Sequence, residues 1–116
     1  MIVYKVVRKE NEKYYSTLIS PKYVIEYELG KLITPKIGKI FIFKELKYAR
    51  FYKAFLTDYI ILECETSEEI QPLAYRALCD EKSIEYFWSD DDFEYPWHTP
   101  DGTYVVNSLT PLRVVY

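Results

Sequence analysis

Carboxylates and aromatic side chains are concentrated in one segment late in the chain. Asp80–Glu94 holds seven acidic residues, and Tyr86–Trp97 holds six aromatic residues. Trp and Tyr dominate the energetic centres of protein interfaces, and carboxylates around them would steer a basic partner. The alternative is a solvated loop whose aromatic rings fold back onto the core. We predict a docking surface for a host or viral protein with a basic surface, formed by Trp88, Asp90, Asp91, Asp92, Phe93, Glu94, Tyr95 and Trp97.

A second candidate site is basic and lies on a predicted helix. Lys47, Arg50 and Lys53 are spaced to share its outer face, and Lys36, Lys39 and Lys44 are nearby in the sequence. Cationic side chains in such an arrangement contact phosphates, so nucleic-acid binding is the first alternative function. The aromatic residues of this helix are expected on the opposite, buried stripe. An ordinary solvated helix face is the competing interpretation.

The two candidate sites belong to halves of opposite charge. Residues 1–60 carry twelve Lys and Arg against six Asp and Glu, whereas residues 61–116 carry three against twelve. This asymmetry points to charged partners rather than to a reaction. It also allows self-association, in which the basic face of one copy meets the acidic segment of another.

Patterns typical of metal, nucleotide and hydrolase sites are missing from the sequence. Asp90-Asp91-Asp92 lacks the alternating ligands and central Gly of a calcium loop, and His98 is the single His of the chain. Neither GxxxxGK[ST] nor GxGxxG occurs, and no GxSxG accompanies the His. We predict no metal site and no cofactor.

One set of residues resembles a catalytic pattern. Arg8, Ser16-Thr17 and Glu63-x-Glu65 follow the chain order of the Arg…Ser-Thr-Ser…Glu-x-Glu pattern of ADP-ribosyltransferases. The resemblance implies that Glu65 would stabilise an oxocarbenium-like ribose and that Arg8 would hold phosphates. The Ser-Thr-Ser element is incomplete here, so we predict action by binding rather than catalysis, with this reaction as the enzyme alternative.

The elements that position these residues are mostly strands. Alternating or β-branched runs predict strands at 2–8, 14–19, 23–27, 39–43, 58–64, 84–88, 103–106 and 112–116. Over Lys44–Phe55, an aromatic stripe at helical spacing predicts the main amphipathic helix, with Tyr48, Phe51, Tyr52 and Phe55 facing the sheet. Pro72 fits the first turn of a short second helix over Leu73–Cys79.

The predicted fold is therefore α+β, a mixed or antiparallel sheet of about six strands with one main and one short helix. Residues 1–116 form a single domain on this interpretation. Without an apolar stretch of about 18 residues we expect no membrane span. Cys64 and Cys79, which lack CxxC spacing, are expected to be buried free thiols in a reducing cytoplasm.

Several segments together resemble small uncharacterised proteins of bacteriophages and prophages. They occur in order along the chain and are YKVVR (Tyr4–Arg8), YYS (Tyr14–Ser16), VIEYELGKLITPKIGKIFIF (Val24–Phe43), ILECE (Ile61–Glu65) and GTYVVNSLTPLRVV (Gly102–Val115). Such proteins have no agreed activity, so no functional residue is carried over. The resemblance implies a viral context in the cytoplasm of a host cell and interaction with a host component.

Overall fold

The described strands and helix come from six stretches of the chain. The computed structural model describes residues 1–16, 24–36, 39–54, 58–67, 71–72 and 103–115. Eight strands and one helix lie in these stretches, in the order β1 (Ile2–Glu10), β2 (Lys13–Tyr15), β3 (Glu26–Tyr27), β4 (Ile40–Phe43), α1 (Leu46–Lys53), β5 (Tyr59–Glu65), β6 (Gln71–Pro72), β7 (Thr103–Val106) and β8 (Thr110–Val114).

The first strand is the centre of the sheet. β1 pairs with β5 over seven consecutive residue pairs on one edge. On its other edge it pairs with β2 near its C-terminal end and with β4 near its N-terminal end. β4 continues to β7 and β7 to β6, while β2 continues to β3 and β5 to β8. Every one of these strand pairs is antiparallel.

The sheet curls until the chain after β3 reaches β8. Ile33 and Leu109 exchange two backbone hydrogen bonds, of 2.7 Å and 3.1 Å. The Gly30 N–H donates to the Pro111 carbonyl at 2.7 Å. These bonds link the β3 side of the sheet to the β8 side, so one face of the sheet becomes an enclosed interior.

The alternation of β1 divides the core into two clusters. Val3 and Val7 lie in the interior cluster with buried residues of β4, β5 and β7, whereas Val6 lies on the other face of the sheet beneath α1. Successive residues of a strand point to opposite faces, so Lys5 faces the interior with Val3 and Val7. That interior position makes Lys5 a buried charge, at 7% exposure.

The expected fold class is supported at the coarse level, as a mainly antiparallel sheet with one helix among the described residues. The predicted helix start at Pro72 is wrong, because Gln71–Pro72 pairs with β7 as β6. β6 stands at the end of the strand order, where a residue without an N–H is tolerated. The predicted helix Leu73–Cys79 and strand 84–88 lie outside the described residues.

The turn between β1 and β2 has an unfavourable residue in its second position. Glu10 pairs with Lys13, leaving a two-residue turn in which Asn11 has φ 50° and Glu12 has φ 67°. Two successive left-handed residues define the type I′ turn, which favours Asn followed by Gly. A left-handed conformation costs a residue with a Cβ about 1–2 kcal/mol, and Asn tolerates it better than Glu.

We therefore expect Glu12→Gly to raise the free energy of unfolding by about 1 kcal/mol, since the relief of strain exceeds the added entropy of the unfolded chain. Urea denaturation at neutral pH measures the change. Asn11→Gly is the matched control and should have a smaller effect. A lower stability of Glu12→Gly would show that the Glu side chain contributes more than its backbone strain costs.

Candidate functional site

Helix α1 packs on the sheet through Ala49, the one residue of this helix that is buried. Ala49 is fully buried and packs with Val6, Phe43 and Ile61, beneath the contact of α1 with β1, β4 and β5. Tyr52 packs at the edge of this cluster, with its ring centroid 5.5 Å from that of Phe43. A small side chain at the contact lets the helix backbone approach the sheet closely.

The packing of α1 on Ala49 turns Phe51 outward, so the prediction that Phe51 belongs to the buried stripe is wrong. The Phe51 side chain is 65% exposed, while Tyr48 and Tyr52 are half-buried against the cluster. Residues of an α-helix advance by about 100° each, which places Phe51 about 200° from Ala49. The predicted fourth member, Phe55, lies outside the described residues.

Two of the three predicted basic residues share the outward face with Phe51. Lys47 precedes Phe51 by four positions and lies about 160° from Ala49, and Arg50 lies about 100° from it. Both residues are exposed. Lys53 lies only about 40° from Ala49 and is half-buried, so it flanks the contact with the sheet rather than the outward face. We call Lys47, Arg50 and Phe51 the α1 outer face.

The chain leading to α1 adds positive charge. Residues 36–54 contain six Lys and Arg and one acid, Glu45. Lys36 and Lys44 are exposed, and Lys39 is half-buried just before β4. The Lys47 ammonium lies 5.0 Å from the centroid of the Tyr48 ring, a distance at which the ring quadrupole attracts it.

Several basic residues elsewhere on the described surface have carboxylates beside them. Arg113 binds Glu63 across β8 and β5 through two hydrogen bonds, of 2.8 Å and 3.3 Å. Wider contacts join three more pairs at 3.5–3.9 Å, Lys13 with Glu26, Lys31 with Glu28 and Arg8 with Glu10. Such surface pairs add little stability, but each cancels a local charge. In the sequence, residues 36–54 carry five more positive than negative charges.

Lys5, a charged residue that lies in the sheet interior, was not identified from the sequence. The Lys5 ammonium donates a 2.8 Å hydrogen bond to the Phe41 carbonyl and lies 5.9 Å from the centroid of the buried Tyr27 ring. Burial lowers the pKa of Lys5 to about 8, partly opposed by Cys64. The signal was present in the sequence, because Lys5 alternates with Val3 and Val7.

Burial also shifts the two acidic groups near Lys5. It raises the pKa of the Cys64 thiol to about 12, although neighbouring Lys5 pulls the other way. Burial also raises the pKa of the Tyr27 hydroxyl above its ordinary value, and the neighbouring Cys64 adds to this effect. Both groups are therefore neutral near pH 7, so the interior offers no activated thiolate.

The resemblance to ADP-ribosyltransferases gains no support from the positions of its residues. Arg8 and Glu65 lie six positions apart along the β1–β5 ladder, a distance of about 20 Å. The Glu63 carboxylate is held by Arg113. Ser16, the described residue of the Ser-Thr pair, is buried and its Oγ accepts the Ile25 N–H at 3.0 Å. The described fold does not bring these groups to one site.

The predicted acidic-aromatic surface, Trp88 to Trp97, lies outside the described residues, as does Cys79. Cys64 is a buried free thiol, as expected.

In the part of the chain that the structure describes, no three His, Cys, Asp or Glu side chains converge as metal ligands would. The one described helix is too short and too polar to cross a membrane.

The site has to be interpreted from its own geometry. A comparison with protein-family models finds no match to this chain, and no curated protein or solved structure is similar enough to count as a match.

Proposed function

We propose that this protein acts by binding nucleic acid through the α1 outer face. The observation that carries the proposal is the exposed Phe51 ring beside Lys47, on the side of the helix turned away from Ala49, with the exposed Arg50 on the far side of Lys47. Nucleic-acid-binding surfaces combine cations that contact phosphates with groups that contact bases. The α1 outer face presents both on one helix that is packed on the sheet.

The charge around this face supports a polyanionic partner. Residues 36–54 carry a net charge of +5, from six basic residues and one acid. Each phosphate neutralised by Lys or Arg releases condensed counterions, which gives affinity and a strong dependence on salt. A protein partner would need a comparably dense acidic surface to benefit from the same charges.

The acidic-aromatic segment supports a second candidate function. Its acids and aromatics, from Trp88 to Trp97, suit a basic host or viral protein, and this interpretation rests on composition alone. A host-cell location and a viral context likewise remain predictions from the resemblance to phage proteins. The opposite charges of the two halves also leave self-association as a predicted alternative.

The test of the primary function is the salt dependence of binding. Fluorescence anisotropy with a labelled oligonucleotide should give an affinity that falls linearly with salt on a log–log plot, with a slope of about −0.7 per phosphate neutralised on a single strand. Lys47→Ala/Arg50→Ala removes two such contacts. We expect it to weaken binding and to reduce the magnitude of the slope by about 1.4.

The matched control is Lys13→Ala/Lys31→Ala, which removes two exposed Lys residues that stand beside carboxylates. It should leave affinity and slope close to the wild-type values. An unchanged slope in the Lys47→Ala/Arg50→Ala protein would overturn the proposed site. Capture of a single basic protein from a host lysate, without nucleic acid, would favour the acidic-aromatic segment instead.

A further inference from the structure

We propose that Phe51 is a platform on which an unpaired base stacks, so that the α1 outer face selects single-stranded over double-stranded nucleic acid. This inference rests on the proposed function and adds the class of ligand. It starts from an exposure that the helix pattern does not predict. Phe51 is 65% exposed, whereas the two Tyr residues of α1 are half-buried against the sheet.

A single exposed apolar side chain is ordinary on a protein surface, so exposure alone implies no ligand. The cationic side chains near Phe51 are what indicate a ligand. Side chains four positions apart are neighbours on a helix, and long side chains lean towards the N-terminal turn. The Phe51 ring therefore lies over the turn that carries Lys47, and Arg50 lies on the far side of Lys47, about 100° around the helix from Phe51.

This arrangement matches what a single strand offers and a duplex does not. In a duplex the base faces are stacked on one another, and a side chain approaching the backbone meets sugar and phosphate. In a single strand every base has a free π-face, and stacking on aromatic side chains is tolerant of sequence. Lys47 and Arg50 would contact phosphates while the Phe51 ring accepts a base, without sequence readout.

The rival occupant of the same face is an acidic protein for which Phe51 is an apolar anchor. Charge alone would not separate the two, because carboxylates and phosphates both attract Lys47 and Arg50. The nature of the contact with Phe51 does separate them. A base requires a flat π-surface, whereas an apolar anchor requires only volume, so an aliphatic replacement distinguishes the cases.

The experiment compares a labelled oligothymidylate of about 16 nucleotides with a duplex of the same length, by anisotropy in low salt. Phe51→Ala should weaken single-strand binding by between about 5-fold and about 150-fold, the value of one stacked base. Duplex binding should change by less than about twofold, because only the cations contribute to it. Phe51→Trp should retain single-strand affinity, and Phe51→Leu should lose it like Phe51→Ala.

Leu32→Ala is the matched control, because Leu32 is 64% exposed and lies outside α1. It should leave both affinities unchanged, and unchanged circular dichroism should show that each variant is folded. Equal losses on single strand and duplex, full retention by Phe51→Leu, or no loss in Phe51→Ala would each overturn the stacking role. These outcomes leave the salt slope of Lys47→Ala/Arg50→Ala as a separate test of the basic face. A complex formed only with an acidic protein would overturn both proposals.

Discussion

Replacing Lys5 by Met should remove about 3 kcal/mol of pH dependence from the stability of this protein. The difference in free energy of unfolding between wild type and Lys5→Met should shift by that amount, in favour of wild type, as the pH rises from about 8 to 10.5. The window is bounded by the folded pKa of Lys5, about 8, and its ordinary value of 10.5. Each pH unit in the window contributes about 1.4 kcal/mol.

The cause is the position of Lys5 in the sheet interior. Lys5 is 7% exposed, and among the described residues its ammonium donates one hydrogen bond, to the Phe41 carbonyl. Removing a charge from water without a carboxylate partner disfavours the charged form, which is why the pKa falls. Below about pH 8 the folded protein bears this penalty in full. Above pH 10.5 the unfolded chain is also neutral at this residue, and the penalty is gone.

Two neighbouring groups act in the opposite direction at higher pH. The pKa of Cys64 rises from 9.0 to about 12 on folding, so its stabilising contribution is lost progressively above pH 9. The pKa of Tyr27 rises from 10.0, so its contribution begins to fall above pH 10. The combined contribution of Lys5, Cys64 and Tyr27 to wild-type stability should therefore rise between about pH 8 and 9, level off, and fall above about pH 10. Lys5→Met should lack the rise and decline from about pH 9.

Urea denaturation at half-unit pH intervals from 7 to 11, for both proteins, measures these curves. Lys31→Met is the control, because the Lys31 ammonium is exposed on the surface beside Glu28. Its curve should run parallel to that of wild type. Parallel curves for wild type and Lys5→Met would mean that Lys5 is hydrated in the folded protein, and the buried-charge interpretation would then be wrong.

The strands were predictable where alternation and burial agree. β1, β4, β5 and β7 fall within two residues of their expected bounds, because β-branched and aromatic runs leave few alternatives. The interior position of Lys5 follows from the same alternation, since Val3 and Val7 share its face. Strand pairing was not predictable, because β1 meets β5 across some fifty residues of intervening chain. Nothing local in either strand specifies that partner.

The rotation of α1 shows why the candidate site could not be read in full from the sequence. Aromatic side chains at helical spacing predict a buried stripe through Phe51, but the helix is seated on Ala49. Close approach of the helix to the sheet favours a small residue at the contact, because the side chains of Val6, Phe43 and Ile61 already fill the sheet surface there. That preference depends on the shape of the sheet, which a helix pattern does not contain. The exposed Phe51 therefore emerged only with the tertiary structure.

The second large effect concerns the Tyr27 hydroxyl in the same interior. Tyr27 is 1% exposed, and among the described residues its hydroxyl oxygen is buried without a hydrogen-bond partner. A buried polar group that is left unpaired costs about 1–3 kcal/mol. Tyr27→Phe removes that group and keeps the ring that packs against the cluster. We therefore expect the variant to be more stable than wild type by about 1–3 kcal/mol at neutral pH.

The gain should grow above pH 10, because the unfolded chain of Tyr27→Phe has no phenol at this position to ionise, while the unfolded wild type is stabilised by losing that proton. Thermal and urea denaturation at pH 7 and pH 10.5 measure both parts. Tyr14→Phe, at a half-buried Tyr packed against the same cluster, is the matched control and should change stability by less than about 0.5 kcal/mol. A loss of stability in Tyr27→Phe would mean that the hydroxyl makes a favourable bond in solution. The interpretation of Tyr27 as an unpaired buried hydroxyl would then be wrong.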